Sequence, residues 1–136
     1  IAPLRRGLEI SEVVFGASSP RVRRIRRDLG EAELLGGDPE LTLTVVEPPL
    51  ADPQIDHADP VRVALALLRI DALVRLGRDE EARAGIEKHL ALVPDAVRDV
   101  RWVRRRALLD DGGGAAPGDD RSLDETIRTR WGDSAP

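Results

Sequence analysis

Apolar residues recur along most of this chain at intervals of three and four, the spacing that lines one face of a helix. In the first such run, Ala2 to Val14, Leu4, Leu8 and either Ile10 or Ser11 share a side, with Arg5, Arg6, Glu9 and Glu12 on the other. Phe15 to Pro20 contains Gly16 and Pro20 and reads as a break. A second run, Arg21 to Leu35, places Val22, Ile25, Leu29 and Ala32 at helical spacing, and Gly36-Gly37-Asp38 closes it. Asp38 then stands as an N-cap before Pro39 in the first turn of a third helix. Leu41 to Val46 alternates and is β-branched, so taken alone it reads as a strand. The internal repeat makes it a helix instead, one that Pro48, Pro49 and Pro53 are expected to end.

Val61 to Leu76, rich in Ala and Leu and stopped by Gly77, gives the strongest helical signal. Asp79 to Val93 follows, with Ala82, Ile86, Leu90 and Val93 on one face and Pro94 at its end. Asp95 is expected to cap a further helix to about Leu109, with Val97, Val100, Val103 or Arg104, and Ala107 or Leu108 inward. Residues 111–121 have the Gly-rich, acidic composition of a linker. Within 122–132, Ser122-Leu123-Asp124-Glu125 forms a capping box, and Leu123, Ile127 and Trp131 fall four apart, predicting a short amphipathic helix. That segment has three readings: a cap folding back onto the array, a docking motif for a partner groove, or disorder. With no βαβ alternation, the expected class is all-α, an array of antiparallel helix pairs over residues 1–110.

Self-comparison finds the repeat. Pro20 and Pro60 each precede a long amphipathic helix and each lies 17 residues before a glycine, Gly37 or Gly77. At this offset of 40, Ile25 meets Leu65, Ala32 meets Ala72, Thr42 meets Ala82, Val46 meets Ile86 and Leu50 meets Leu90; Leu29 against Arg69 and Gly30 against Ile70 are misfits. The segment Gly77-Arg78-Asp79-Glu80-Glu81-Ala82, then Ile86, Leu90 and Pro94, resembles the second half of a tetratricopeptide repeat. Leu29-Gly30 with Ala32 resembles the matching signature in the first helix of the preceding repeat. Ala2 to Ile10, with Phe15-Gly16 and Ser19-Pro20, is similar to the longer kinesin-light-chain-like variant, common in large bacterial multidomain proteins. The resemblance runs from about Ala2 to Leu109. The middle repeat departs from it at Thr42 and at Pro48-Pro49, and no Tyr occurs. It implies an α-solenoid of about two full repeats plus flanking helices, a scaffold that binds proteins or peptides. Such units need neighbours to bury their apolar faces, so a longer parent array or self-association is expected.

Composition changes this picture little. Of 136 residues, 41% are hydrophobic and only 2% aromatic, so the core must be built from Leu, Val, Ile and Ala. Cysteine is absent, which removes disulfides, thiolate metal sites and cysteine nucleophiles. No apolar run spans a bilayer and none resembles a signal peptide, so a cytoplasmic, non-membrane protein is the default expectation. The missing initiator Met points to processing or to a fragment of a longer chain. The net charge of −4 resides in the tail from Asp110 onward, where seven acids face three arginines.

Candidate chemistry is sparse. No phosphate loop, nucleophile elbow or carboxylate pair occurs, so no catalytic residue, cofactor or metal ligand is assigned and the chain is not expected to be an enzyme. Asp52, Asp56, His57 and Asp59 cluster in a loop best read as Asx turns, and His89 reads as a packed or half-exposed side chain rather than a base. Arginine gathers on two helices: Arg21, Arg23, Arg24, Arg26 and Arg27, then Arg98, Arg101, Arg104, Arg105 and Arg106. By the resemblance both are first helices of a repeat, which line the concave face. Arg23, Arg24, Arg27, Arg98, Arg101 and Arg105 are therefore the partner-binding candidates, for an acidic peptide, carboxylate or phosphate. The bland alternative is a solvated face paired with acids such as Glu31, Glu33 and Asp99. Two further readings exist: a regulatory or substrate-docking part of a larger bacterial enzyme, such as a Ser/Thr protein kinase or effector, by analogy alone; and, last, a nucleic-acid binder, disfavoured by the net negative charge and scarce aromatics.

Overall fold

The structure is a computed structural model that describes residues 2–111; most of the 111–121 linker and the 122–132 segment with Leu123, Ile127 and Trp131 lie outside the described residues. Among the described residues the secondary structure is wholly helical: α1 (Ala2–Phe15), α2 (Pro20–Leu35), α3 (Pro39–Leu50), α4 (Pro60–Arg75), α5 (Asp79–Leu92), a 3₁₀ segment (Pro94–Arg98) and α6 (Val100–Asp111). No described helix is long and apolar enough to cross a membrane.

The 40-residue offset is literal in these bounds. α2 and α4 begin at Pro20 and Pro60 and end at Leu35 and Arg75; α3 and α5 begin at Pro39 and Asp79. Equivalent side chains start α2 and α4: Ser19 Oγ accepts the Val22 amide at 3.1 Å, and Asp59 Oδ1 accepts those of Val61 and Arg62 at 3.0 and 3.1 Å. Equivalent turns end them. Gly37 and Gly77 take φ of +85° and +74°, a left-handed conformation that glycine adopts without a Cβ penalty. Paired bonds then close each end, Gly37 to Leu34 (3.1 Å) with Asp38 to Glu33 (2.9 Å), and Gly77 to Val74 (3.0 Å) with Arg78 to Leu73 (2.9 Å). In the second helices Thr42 and Ala82 are fully buried, as are Val46 and, nearly so, Ile86.

Leu41 to Val46 is thus helical despite its strand-like composition. The Asp38 carboxylate caps the Leu41 amide at 3.0 Å, and the Thr42 and Thr44 hydroxyls bond back to the carbonyls of Asp38 and Glu40. Packing of Thr42, Val45, Val46 and Pro49 inward outweighs the local preference.

Pro48 and Pro49 do not end α3, contrary to the expectation from sequence; it continues to Leu50. A helical proline supplies no N–H to the carbonyl four residues back. For Pro49 that carbonyl belongs to Val45, and Arg26 Nη1 of α2 donates to it at 2.8 Å. The last carbonyls of α3 and its following loop are met by Arg62 of α4: Nη1 reaches Pro49 O and Asp52 O at 3.3 and 3.1 Å, and Nη2 reaches Leu50 O at 2.8 Å. Burial pushes the Arg62 guanidinium below its ordinary pKa, opposed by the carboxylates of Asp52 and Asp59.

The chain divides into two compact units, Ile1–Ala72 and Leu73–Pro136. In the first, α1 packs on α2 and α2 on α3. Ser11 of α1 is buried and Ile10 exposed, which settles the choice between them. Two ion pairs of 2.7 Å tie α1 to α2, Arg5 to the buried Glu33 and Glu12 to Arg26. Gly30 explains its own misfit with Ile70: a Cβ there would stand 2.9 Å from Val46 Cγ1, so the missing side chain lets α2 and α3 approach.

In the second unit the start and face of the last helix differ from expectation. Pro94–Arg98 is 3₁₀, and Asp99, not Asp95, begins α6; its Oδ1 accepts the Arg101 amide at 3.0 Å. Trp102, Arg105 and Leu109 point inward, while Val97, Val100 and Val103 are 55, 53 and 46% exposed. The indole decides the rotation. Trp102 is 1% exposed and stacks on the buried His89 of α5, ring centroids 3.9 Å apart and planes at 13°. A large ring buries more apolar surface than a valine can.

Arg62→Met should lower unfolding stability by about 2–3 kcal/mol, since it strips charged donors from three carbonyls; urea titration measures this, and Arg62→Lys should restore only part, one ammonium being unable to span all three. Gly30→Val should cost about 1–3 kcal/mol by overpacking. Gly7→Ala on α1, where a Cβ meets nothing within 4 Å, should instead gain about 0.5–1 kcal/mol.

Candidate binding surface

The sequence-predicted arginines divide by what their guanidinium groups already hold. On α2, Arg23 Nη1 donates to Ser18 O at 2.7 Å, Arg26 serves Glu12 and Val45 O, and Arg27 pairs with its neighbour Asp28 at 3.2 Å. Arg24 is exposed and makes no hydrogen bond or ion pair among the described residues. Arg21 lies over the Phe15 ring, 5.0 Å from its centroid.

In the second unit Arg101 grips Asp99 with a fork, Nε to Oδ1 at 3.1 Å and Nη2 to Oδ2 at 2.7 Å. This hydrogen bond holds the Asp99 carboxyl below its usual range, although burial partly opposes it, and raises the Arg101 pKa. Arg106 pairs with Glu87 of α5 at 2.9 Å. Arg105 is buried, and its Nη1 curls back to the Arg101 carbonyl at 3.1 Å, so it is removed from any outward-facing set. Arg98 is exposed and, among the described residues, unpaired. Of the six candidates, Arg24 and Arg98 present uncommitted cations, one in each unit.

Periodicity had set a different feature aside. Ile10, Val13, Val14 and Phe15 are all exposed along the C-terminal half of α1, Val13 at 87%. Ile10, Val13 and Val14 share one side of the helix, away from Ser11. With Phe15 under Arg21, and Arg24 one turn further along α2, the first unit carries an apolar edge with an aromatic and a cationic margin. Exposed apolar clusters with aromatic and Arg members are typical of contact surfaces. The clue in the sequence was four apolar residues in the six from Ile10 to Phe15, more than one buried face of α1 can use.

A cleft of about 460 Å³ also opens in the first unit, between the α1–α2 turn at Ala17 and Ser18, the end of α3 at Pro48 and Pro49, and Ile55 in the loop that follows. Its charged members are Arg26, already committed to Glu12 and Val45, and Asp52, whose Oδ1 accepts the Gln54 amide at 2.9 Å. Asp56 and Asp59 form turns of the same kind with Ala58 and Val61, as the loop composition implied. The loop carboxylates thus serve backbone amides. Searches against protein families, curated proteins and solved structures find no match to this chain.

Asp99 gives a pH prediction. Its folded pKa is depressed, so its contribution is complete above its unfolded value of about 3.9 and is lost as pH falls through the lower folded value. Asp99→Asn should therefore lower the Tm at neutral pH, and the gap to wild type should close below about pH 4. Thermal melts followed by circular dichroism across that range read the effect.

Proposed function

We propose that this chain is a non-catalytic protein–protein interaction module of the tetratricopeptide type, an α-solenoid segment that holds a partner protein or peptide on its helical surface. The observation that carries this reading is the repeated unit. α2 and α4 begin and end 40 residues apart, each with a side-chain cap at its start and a left-handed glycine after its end, and α3 and α5 begin at the same offset with the same buried small and large positions. Helical pairs repeated in this way stack to bury continuous cores, and their function lies in the surfaces they expose.

The contact surface in this proposal is the edge of the first unit formed by Ile10, Val13, Val14 and Phe15, with Arg21 and Arg24 at its margin. It differs from the purely cationic groove expected from arginine clustering, because most of those guanidinium groups serve structural carbonyls and carboxylates. The matching partner presents apolar side chains rimmed by acids. Burial of apolar area would supply most of the affinity, and the arginines register and on-rate.

The test begins with a partner captured from the native host and identified by mass spectrometry. Val13→Asp and Arg24→Glu, both at exposed positions, should each weaken its affinity about tenfold or more, with helicity by circular dichroism unchanged; Glu40→Lys should not. Wild-type affinity in both variants would remove this surface from the proposal.

A further inference from the structure

The 40-residue period runs on into α6. Val100 begins it 40 residues after Pro60 begins α4, and Asp99 caps the Arg101 amide as Asp59 caps that of Val61. Trp102 is buried, as Val22 and Arg62 are at the two earlier places, and Leu109 is buried like Leu29. α6 is therefore a third first helix. In α4 a further face is covered, with Val63 and Leu67 buried. Their equivalents in α6 are left open: Val103 is exposed and Ala107 half-buried, with the exposed Val100 on the same side. Asp111 ends this stripe, exposed and without an ion pair among the described residues.

α1 is the converse. It stands to α2 as α5 stands to α6, the helix before it in the chain and packed on it, which is the place of a second helix. Its outer side carries Arg6, Ile10, Val13 and Val14, all exposed, and Arg6 has no ion pair among the described residues.

We infer that copies of this chain associate head to tail, the outer stripe of α6 in one copy docking antiparallel on the outer stripe of α1 in the next and completing a helical hairpin between them. The inference rests on the reading of the α1 edge as a contact surface and names its partner, since apolar side chains rimmed by acids are what α6 presents. The spacing agrees. Arg6, Ile10 and Val14 follow at intervals of four, as do Asp111, Ala107 and Val103 read backwards, so each row covers about 12 Å. Rows of this kind interdigitate when two helices pack. Arg6 then lies beside Asp111, Ile10 beside Ala107 and Val14 beside Val103.

Charge selects this pairing over its alternatives. At the far end the exposed Asp95 faces the margin that holds the uncommitted Arg24. Two α6 stripes set antiparallel would instead bring Asp111 of each copy toward Asp95 of the other. Two α1 stripes would bring Arg6 toward Arg21 and Arg24. Like charges at both ends disfavour either arrangement. The joined surfaces are unlike, so the contact extends from copy to copy unless it closes into a ring.

Sedimentation velocity on the full chain should show a mass that rises with concentration up to about 100 µM. Val103→Asp should weaken the association at least about tenfold, because its carboxylate would leave water without a partner. Arg6→Asp should weaken it too, and adding Asp111→Arg to the same chain should recover most of the loss, which misfolding would not allow. The chain has no cysteine, so single substitutions report the contact. Val14→Cys mixed with ¹⁵N-labelled Val103→Cys under mild oxidation should form the unlike disulfide at least about tenfold faster than either variant joins itself. Glu40→Cys in place of Val14→Cys should remove that preference. A monomer at every concentration would overturn the docking, and one in which Val103→Cys is shielded from thiol reagents would give the stripe to the chain's own later residues. Faster joining of Val103→Cys to itself would also overturn it, in favour of a twofold contact. If a monomer still loses affinity for a foreign partner through Val13→Asp, self-docking alone fails and the α1 surface stands; if that effect is missing too, both fall.

Discussion

Two consecutive prolines in the last turn of α3 set the central constraint of the first unit. Helical backbone without its amide donors leaves carbonyls that must find others, and burial makes the need acute. Arg26, from the helix before α3, donates to the Val45 carbonyl that Pro49 cannot serve, and Arg62, from the helix after it, donates to the carbonyls of Pro49 and Leu50 at the helix end and of Asp52 beyond it. The three helices are thereby fixed to one another by directed bonds as well as by apolar packing, which alone specifies orientation weakly. Asp52 and Asp59 offset part of the cost of taking the Arg62 charge out of water.

Much of this architecture was legible in the sequence, because its signals are local. Ser19, Asp38 and Asp59 precede prolines, Gly37 and Gly77 follow apolar stripes, and both patterns have a direct stereochemical meaning. The 40-residue period made a helix of Leu41 to Val46 against its own composition. What remained hidden depends on partners distant in sequence. Arg62 aligns with Val22, a core position, and a polar residue at such a place reads as surface until the carbonyls it faces are known. Val97, Val100 and Val103 form as good a stripe as Trp102 and Leu109, and only the ring of His89 across from Trp102 decides which turns inward.

The arginine clusters show the same limit. Ten arginines in two short stretches looked like one electrostatic surface. In the structure they divide among a hydrogen bond to a turn carbonyl, a helix-to-helix tie, pairs with Asp28, Asp99 and Glu87, a stacked cation over Phe15 and a buried return to the main chain. Counting charges cannot separate these roles, since all use the same group. The apolar edge of α1 was hidden for the opposite reason: a pattern read for its buried side gives no weight to the valines left over.

Alignment of Val22 with Arg62, and of Gly30 with Ile70, means that the two copies of the repeat have become specialists. Exchanging one for the other would set an arginine at the buried Val22 position, and an isoleucine where the side chains of Val45, Val46 and Leu68 already fill the space.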